Sequence, residues 1–324
     1  MFVDLFGTMT HTLKATSEEQ IRERLLKRSG TTPYRAFDLS ALNGIRCHTP
    51  EDLTATVGAG TVFSDMQRSL AKHGQWLPVD PPNGESLSVG ALIAGNRSGP
   101  QRFGFGLVRD YLIGIRVVLA DGSVSNSGGQ VVKNVAGFDL PRLMVGSRGS
   151  LGVIVEATFK LGPVPESRAA TKWTFSTVDA LLERLRRVES LHLAPVSLDA
   201  HNLDRKGQPS DRYHLVLGFA GSEEEVTSQV DRLNEIESSR SSRYDYETAF
   251  WGTDVPIRHA SCLPTEMGAI LRDLEGSAWV ARIGNGVVYH HAESPAPARK
   301  PSPLEVRLKA LFDPEGVLPP IPLT

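Results

Sequence analysis

The chain has 324 residues but only two cysteines, Cys47 and Cys262, far apart and in no C-x-x-C pair. That scarcity argues against a disulfide framework and against a zinc or iron–sulfur site held by thiolates of this chain. Long apolar runs are lacking as well. No stretch reaches the roughly 18 apolar residues that a membrane-spanning helix needs. Neither sign of charge prevails: 35 basic residues stand against 37 acidic ones, a net charge of −2. This gives no electrostatic reason to expect nucleic acid or an anionic membrane as partner. The opening stretch MFVDLFGTMTHTLKATSEEQ lacks the basic region and apolar core of a secretory signal. The expected location is the cytoplasm, free or held on the inner membrane face by a partner.

Several chemistries are missing by motif. There is no HExxH, GxSxG or kinase set, and no G-x-x-x-x-G-K-[ST] phosphate loop. VGAGTVF, at 57–63, begins like a dinucleotide-binding turn, but Phe63 stands where the third glycine must allow helix and strand to pack closely. No metal site is expected. His290 and His291 are adjacent on a predicted strand and so face opposite sides, which makes them poor co-ligands.

What is abundant is glycine, with 30 residues. Residues 128–154 read GGQVVKNVAGFDLPRLMVGSRGSLGVI, in which six of the 27 are glycine and Gly146, Gly149 and Gly152 are evenly spaced. Lys133 and Asp139 flank a second knot around Gly137. Alone, this spacing suits a chain of turns. A second loop, GALIAGNRSGPQRFGFG at 90–106, shifts the reading. Two glycine-rich loops that each lead into an apolar strand could present rows of backbone N–H groups to a diphosphate or to the edge of a polar heterocycle.

The local patterns predict alternating strands and helices. Ser17-Glu18-Glu19-Gln20 is a capping box before Ile21, Leu25 and Leu26, and Gly30 is a plausible helix stop. LTATVGAG at 53–60 reads as a strand. Thr61 is placed to cap a helix with Val62, Met66 and Leu70 on one face, ended by Gly74. Asp121-Gly122 marks a hairpin after YLIGIRVVLA. Asp139 and Pro141 start a short helix that Gly146 stops. In LGVIVEATFKL, Val153, Val155, Ala157, Phe159 and Leu161 are expected to face one way and Glu156, Thr158 and Lys160 the other. GPVPES at 162–167 reads as a linker. Beyond it lie helices with Leu181, Leu182, Leu185 and Val188, and with Val226, Val230, Leu233 and Ile236 behind the capping box at Ser222. WVARI and GVVYHH are late strands. This order predicts an α+β second domain with an antiparallel sheet. PLEVRLKALFDPEG reads as a final short helix closed by Pro and Gly.

The stretches LSALNGI, PEDLTATVGAGT, LAKHGQWLPVDPP, SVGALIAGNRSGPQRFGFGLVRDYLIGIRVVLADG and GGQVVKNVAGFDLPRLMVGSRGSLGVI resemble the FAD-binding oxidases of the vanillyl-alcohol oxidase, or PCMH, type. They are similar in particular to the smaller flavin subunits of bacterial glycolate oxidases. Together they span about residues 36–162, and the second half is only weakly similar. The resemblance implies an FAD-binding fold of two α+β subdomains over 1–162, the first shortened, then a cap domain over 168–300 and a C-terminal helix and tail over 301–324. Carried over by position, it places Pro81, Pro82, Ser88, Val89 and Gly90 at the flavin. Asn96, Ser98 and Gly99 fall near the ring and ribityl chain, with Gly104, Val108 and Asp110 in the same loop. Gly149, Gly152, Val153 and Ile154 fall on the adenine and diphosphate side. It further implies oxidation of a small 2-hydroxy acid such as glycolate, with a larger flavin subunit and an iron–sulfur subunit as partners. A base and a carboxylate-binding cation are required, for which His290, His291 and Arg282 on the cap strands are weak candidates. The bland reading of Arg282 is a surface strand residue.

Two features depart from the family's pattern. The family places a strand and an R-G-G-G loop, which wraps the FAD diphosphate, before LSALNGI. Here only TTPYR separates Gly30 from AFDLS, and Ser29-Gly30-Thr31-Thr32 is too short to rebuild both. A lost anion nest removes several charge-assisted hydrogen bonds, which makes a non-catalytic subunit with a degraded flavin site the alternative reading. The C-terminal DPEGVLPPIPLT also differs from the family's usual D-P-x-G-I-x-N-P-G.

Overall fold

The computed structural model of the chain describes residues 12–27, 33–34, 36–129, 139–234, 245–253, 255–293 and 300–321. Gly30, the Ser29–Thr32 stretch, Lys133, Gly137 and Ile236 lie outside them. Two compact units form. The first comprises Met1–Arg97, Leu107–Val164 and Pro297–Thr324, and the second Ser98–Gly106 and Pro165–Ala296. The 98–106 segment of the glycine-rich loop therefore clusters with the second unit, and the C-terminal helix and tail with the first.

The first unit opens as its capping box predicts. The Ser17 hydroxyl accepts from Gln20 N at 3.2 Å, and Gln20 Oε1 accepts from Thr16 N at 3.0 Å. Helix α1, Glu18–Leu26, buries Ile21 and Leu25. It connects strands β1, Thr12–Lys14, and β2, Ala36–Asp38, which pair in parallel with Thr12 opposite Ala36. A single βαβ crossover results, and no strand lies between α1 and β2 among the described residues.

A five-stranded antiparallel sheet follows. Its strands are β3, Ile45–Thr49; β4, Thr54–Gly58; β5, Leu112–Val118; β6, Val124–Gly128; and β7, Val153–Lys160, in the order β3-β4-β7-β5-β6. Helices α2, Phe63–Ala71, α3, Val89–Gly95, and α4, Leu140–Met144, accompany it. The Asp121-Gly122 hairpin forms between β5 and β6: Gly122 adopts φ +74°, and Asp121 Oδ1 accepts from Ser123 N at 2.8 Å. Asp139 caps α4 by accepting from Arg142 N at 3.1 Å.

Two local expectations need correction. Thr61 does not cap α2. Its Oγ1 accepts from Gly44 N at 2.8 Å, and Val62 is the N-cap without a side-chain bond. Nor does β7 alternate along its whole length. Its register against β5 shifts between Arg116 and Val117, so Val155 is an extra residue in the ladder. A β-bulge of this kind reverses the facing of everything beyond it. Val153 and Val155 consequently pack into the cluster with Leu13, Ile21 and Leu25, while Ala157, Phe159 and Leu161 pack with Val57, Met66 and Leu92 on the other side. Both faces of this central strand are buried.

The C-terminal helix, Pro303–Phe312, begins with a capping box in which Ser302 Oγ accepts from Glu305 N and Glu305 Oε2 from Ser302 N. Lys309 ties the tail down. Its ammonium donates to Ser150 O at 2.9 Å, Pro319 O at 2.8 Å and Leu318 O at 3.3 Å, and pairs with Asp313. Buried Asp313 also accepts from Val317 N and Leu318 N at 2.7 and 2.9 Å. Lys309→Met leaves that carboxylate without its cation. The expected outcome is faster amide exchange at Val317 and Leu318 with the five-stranded sheet still protected, and unchanged exchange would contradict this role.

The second unit is built on a six-stranded antiparallel sheet. Its elements are β8, Ser167–Phe175; α5, Val178–Ser190; β9, Ser197–Leu203; β10, Pro209–Gly221; α6, Glu223–Asn234; α7, Asp245–Trp251; β11, Arg258–Ser261; α8, Met267–Asp273; β12, Trp279–Arg282; and β13, Val287–His290. The strand order is β8-β10-β9-β12-β13-β11. Leu181, Leu185 and Val188 of α5 and Val226 and Leu233 of α6 are buried against the sheet, the helical stripes expected from sequence. The architecture is α+β throughout.

Candidate functional site

In the first unit, the V-G-A-G turn after β4 is shaped by its own chain. A β-carbon on Gly58 would stand 2.3 Å from Leu42 O, and one on Gly60 only 1.9 Å from Leu39 O. Gly60 N donates to Leu42 O at 2.9 Å and Gly58 N to Gly44 O at 3.0 Å. The G-x-G here thus admits the backbone of the 39–44 segment, which accounts for its dinucleotide-like look without a nucleotide. The same turn receives the start of α3. Val89 N donates to Thr61 O and Gly90 N to Ala59 O, while Ser88 Oγ caps the helix by accepting from Ala91 N. Pro81 is buried and Pro82 half-buried in the segment leading there.

The far end of α3 meets the glycine-rich loop at 145–149. The helix stops at exposed Asn96, which is left-handed at φ +46°. Gly146 N then donates to Ile93 O at 3.1 Å and Arg148 N to Ala94 O at 2.9 Å, so the 145–149 loop is stitched to the α3 terminus. Gly149, at φ +79°, has the Phe37 ring 2.9 Å from its missing β-carbon, and Gly152 has Val117 Cγ1 at 2.5 Å. Both glycines make room for side chains of their own unit. Val153 and Ile154 enter the sheet buried, opposite Val118 and Val117. Ser147 is different: its hydroxyl is buried and has no hydrogen-bond partner among the described residues. An orphaned polar atom in this loop fits a site completed by a bound polar group, as a cofactor carrying phosphates would do.

The other residues named from the sequence separate. Val108 is fully buried in the core, and Asp110 Oδ2 accepts from Leu107 N at 2.8 Å in a local cap. Ser98, Gly99 and Gly104 belong to the second unit. There Gly104 N donates to Val196 O at 3.0 Å, and a β-carbon on Gly104 would stand 2.6 Å from Val196 Cα.

Arg282 lies neither on the surface nor in an open pocket. It is fully buried on β12, directly opposite Asp199 of β9. Its guanidinium pairs with Asp199 and, at 2.7 Å, with Glu247 Oε2, so both terminal nitrogens are engaged by carboxylates. Tyr246 donates its hydroxyl to Asp199 Oδ2 at 2.7 Å and stacks on His201 with centroids 4.5 Å apart. His201 Nδ1 accepts from Leu203 N at 3.2 Å, which leaves the proton of the neutral ring on Nε2. His291 stacks on Phe250 at 4.5 Å. Burial pushes the pKa of His290 and of His291 down, the neighbouring Arg258 adding to the effect at His290, and so favours neutral rings. Sequence reasoning missed Asp199, His201, Tyr246 and Glu247. The available signal was SLDAHNL, a strand that turns Ser197, Asp199 and His201, each two residues apart, to one face.

Burial pushes the Asp199 carboxyl up to about 6, against the opposing charge of Arg282, while the negative charge of Glu247 adds to the rise. A raised carboxyl holds its proton more tightly in the folded than in the unfolded chain, so its contribution is most favourable at low pH and falls as pH rises from about 4 to about 6. Relative to Asp199→Asn, the wild-type chain should lose roughly 2–3 kcal/mol of unfolding free energy across that window and nothing further above it. Urea unfolding of both proteins at a series of pH values checks this. A difference independent of pH would contradict it.

Comparison with known proteins decides what the first unit is. A family model described as an FAD binding domain matches residues 25–128. The chain carries an FAD binding domain. It is 38% identical over 149 residues to glycolate oxidase subunit GlcD of Bacillus subtilis (strain 168), covering 46% of this chain and 32% of that protein. It is 37% identical over 150 residues to glycolate oxidase subunit GlcE of Escherichia coli (strain K12), covering 46% and 43%. To the mitochondrial D-lactate dehydrogenase [cytochrome] of Arabidopsis thaliana it is 29% identical over 212 residues, covering 62% and 37%. The likeness thus spans less than half the length of each of these relatives. Among solved structures, alkyldihydroxyacetonephosphate synthase superposes with a TM-score of 0.70 at 15% identity, covering 94% of this chain and 76% of that one. The fold is the PCMH-type FAD-binding fold, and the cofactor of the domain is FAD. Among the described residues, no helix is long and apolar enough to cross a membrane.

Proposed function

We propose that the chain is the flavin-carrying subunit of an oxidoreductase that oxidises, or helps to oxidise, a small 2-hydroxy acid. The observation that carries this reading is the likeness to proteins named as glycolate oxidase subunits and D-lactate dehydrogenases. Glycolate and D-lactate share a carboxylate with a hydroxyl on the adjacent carbon, which sets the substrate class. Bound FAD supplies the two-electron acceptor for such an oxidation. This chain's part is to hold the cofactor, with the α3 terminus and the 145–149 loop as one wall. Electrons pass to an iron–sulfur subunit, because two isolated cysteines offer no cluster ligand set. A larger flavin subunit completes the assembly, in the cytoplasm or on the inner membrane face.

A second reading is a non-catalytic subunit that keeps the fold to support the complex. Arg282 favours it, since a guanidinium engaged by two carboxylates is not available to a substrate carboxylate. The short connection between α1 and β2 favours it too. The test is to purify the chain alone and with its partner subunits, then mix each anaerobically with glycolate or D-lactate. Bleaching, by either acid, of flavin carried by the chain alone supports its own catalysis. A chain that alone carries no flavin, or carries flavin that stays oxidised, while the complex with the larger flavin subunit bleaches, supports the second reading.

A further inference from the structure

The connection from α1 to β2 leaves only residues 27–35, and the strand and loop that the resemblance places there to wrap a diphosphate are missing from the sequence. A flavin dinucleotide held by this unit needs its charge met elsewhere. We infer that Arg97 and Arg148 form a cationic clamp for the diphosphate of FAD, at the junction of the α3 terminus and the 145–149 loop. This rests on the flavin reading above.

Both arginines lie in the first unit, and the backbone brings their loops together. Arg148 N is bonded to Ala94 O, three residues before Arg97, and Gly146 N to Ile93 O. Gly95 makes room for the first arm. Arg97 Cγ and Nε lie 3.2 Å from the position a β-carbon would take there, so the Arg97 stem folds over bare backbone. The second arm is a non-glycine residue in the left-handed region, with Arg148 at φ +48° between Gly146 and Gly149. Both side chains reach solvent. Burial first, and the charge of Arg97 second, work against the ionised form of Arg148, the latter a repulsion between like charges. An anion between them relieves that repulsion, and guanidinium groups match phosphate oxygens in a bidentate manner. The buried Ser147 hydroxyl, without a partner among the described residues, lies beside Arg148 in the same loop and is a further independent sign of a polar ligand.

The test is isothermal titration of the full chain with FAD, ADP and riboflavin, for wild type, Arg97→Gln, Arg148→Gln and the double variant. Circular dichroism and thermal unfolding confirm that each variant is folded. Each single change should weaken FAD and ADP by about tenfold or more, the loss expected for one charge-assisted contact, and leave riboflavin unchanged. Arg148→Lys keeps the charge and should recover part of the loss. Wild-type affinity for FAD should fall with added salt, and that of the double variant much less. A folded double variant that binds FAD within about twofold of wild type, well short of one contact's worth, overturns the clamp and leaves the flavin reading standing. Wild-type protein that binds neither FAD nor ADP overturns both.

Discussion

Arg282→Met should lower the unfolding free energy of the second unit by about 3–5 kcal/mol, the cost of leaving buried carboxylates without their cation. Asp199 is almost fully buried, and Glu247 keeps only 12% of its side chain exposed, so water can rescue neither. Tryptophan fluorescence is a suitable probe, because Trp173, Trp251 and Trp279 all lie in the second unit and only Trp76 in the first. The triple change Arg282→Met, Asp199→Leu, Glu247→Gln removes the charges together and should regain most of the loss, since a buried ion pair often contributes little beyond an apolar replacement. A single variant within about 1 kcal/mol of wild type, the worth of an exposed pair, would mean that Arg282 is solvated and free for a ligand.

Gly60→Ala should be the most damaging of the conservative changes in the first unit, at about 3 kcal/mol, the upper end for overpacking. The added carbon would fall 1.9 Å from Leu39 O, a backbone atom that moves only if the 39–44 segment moves with it. Gly74→Ala is the control. That position has φ +68° and nothing within 4 Å of a β-carbon, so only the backbone cost of about 1–2 kcal/mol applies. Chemical denaturation of both variants compares the two. Equal losses would show that the 58–60 turn tolerates displacement and that its glycines do not serve backbone approach.

These glycines show where reading from the sequence stops. A glycine signals that a β-carbon is unwelcome, but not what would collide with it. At Gly152 the neighbour is Val117, at Gly104 it is Val196, and at Gly60 a backbone carbonyl. None of these partners is adjacent in sequence. The caps at Ser17 and Asp139 were legible because donor and acceptor lie within three residues of each other. The reversal of facing in β7 was not, because LGVIVEATFKL has apolar residues in both phases and only pairing with β5 decides where the extra residue goes. The Asp199 cluster likewise draws on segments 47 and 83 residues away, so Asp199 was visible in its strand but its counter-charge was not. The glycine-rich stretch that joins the α3 terminus was legible as two loops of free backbone, whereas the arginines proposed to give it charge sit among ordinary loop residues.

In the proposed reading, this chain holds FAD in its first unit without the usual diphosphate loop. The most direct measurement is titration of the purified full chain with FAD, following tryptophan quenching and the flavin absorbance that survives gel filtration. Saturable binding of one FAD per chain is expected. Failure of the full chain to retain or saturate with FAD, with the complex carrying no more FAD than its larger flavin subunit accounts for, would contradict it.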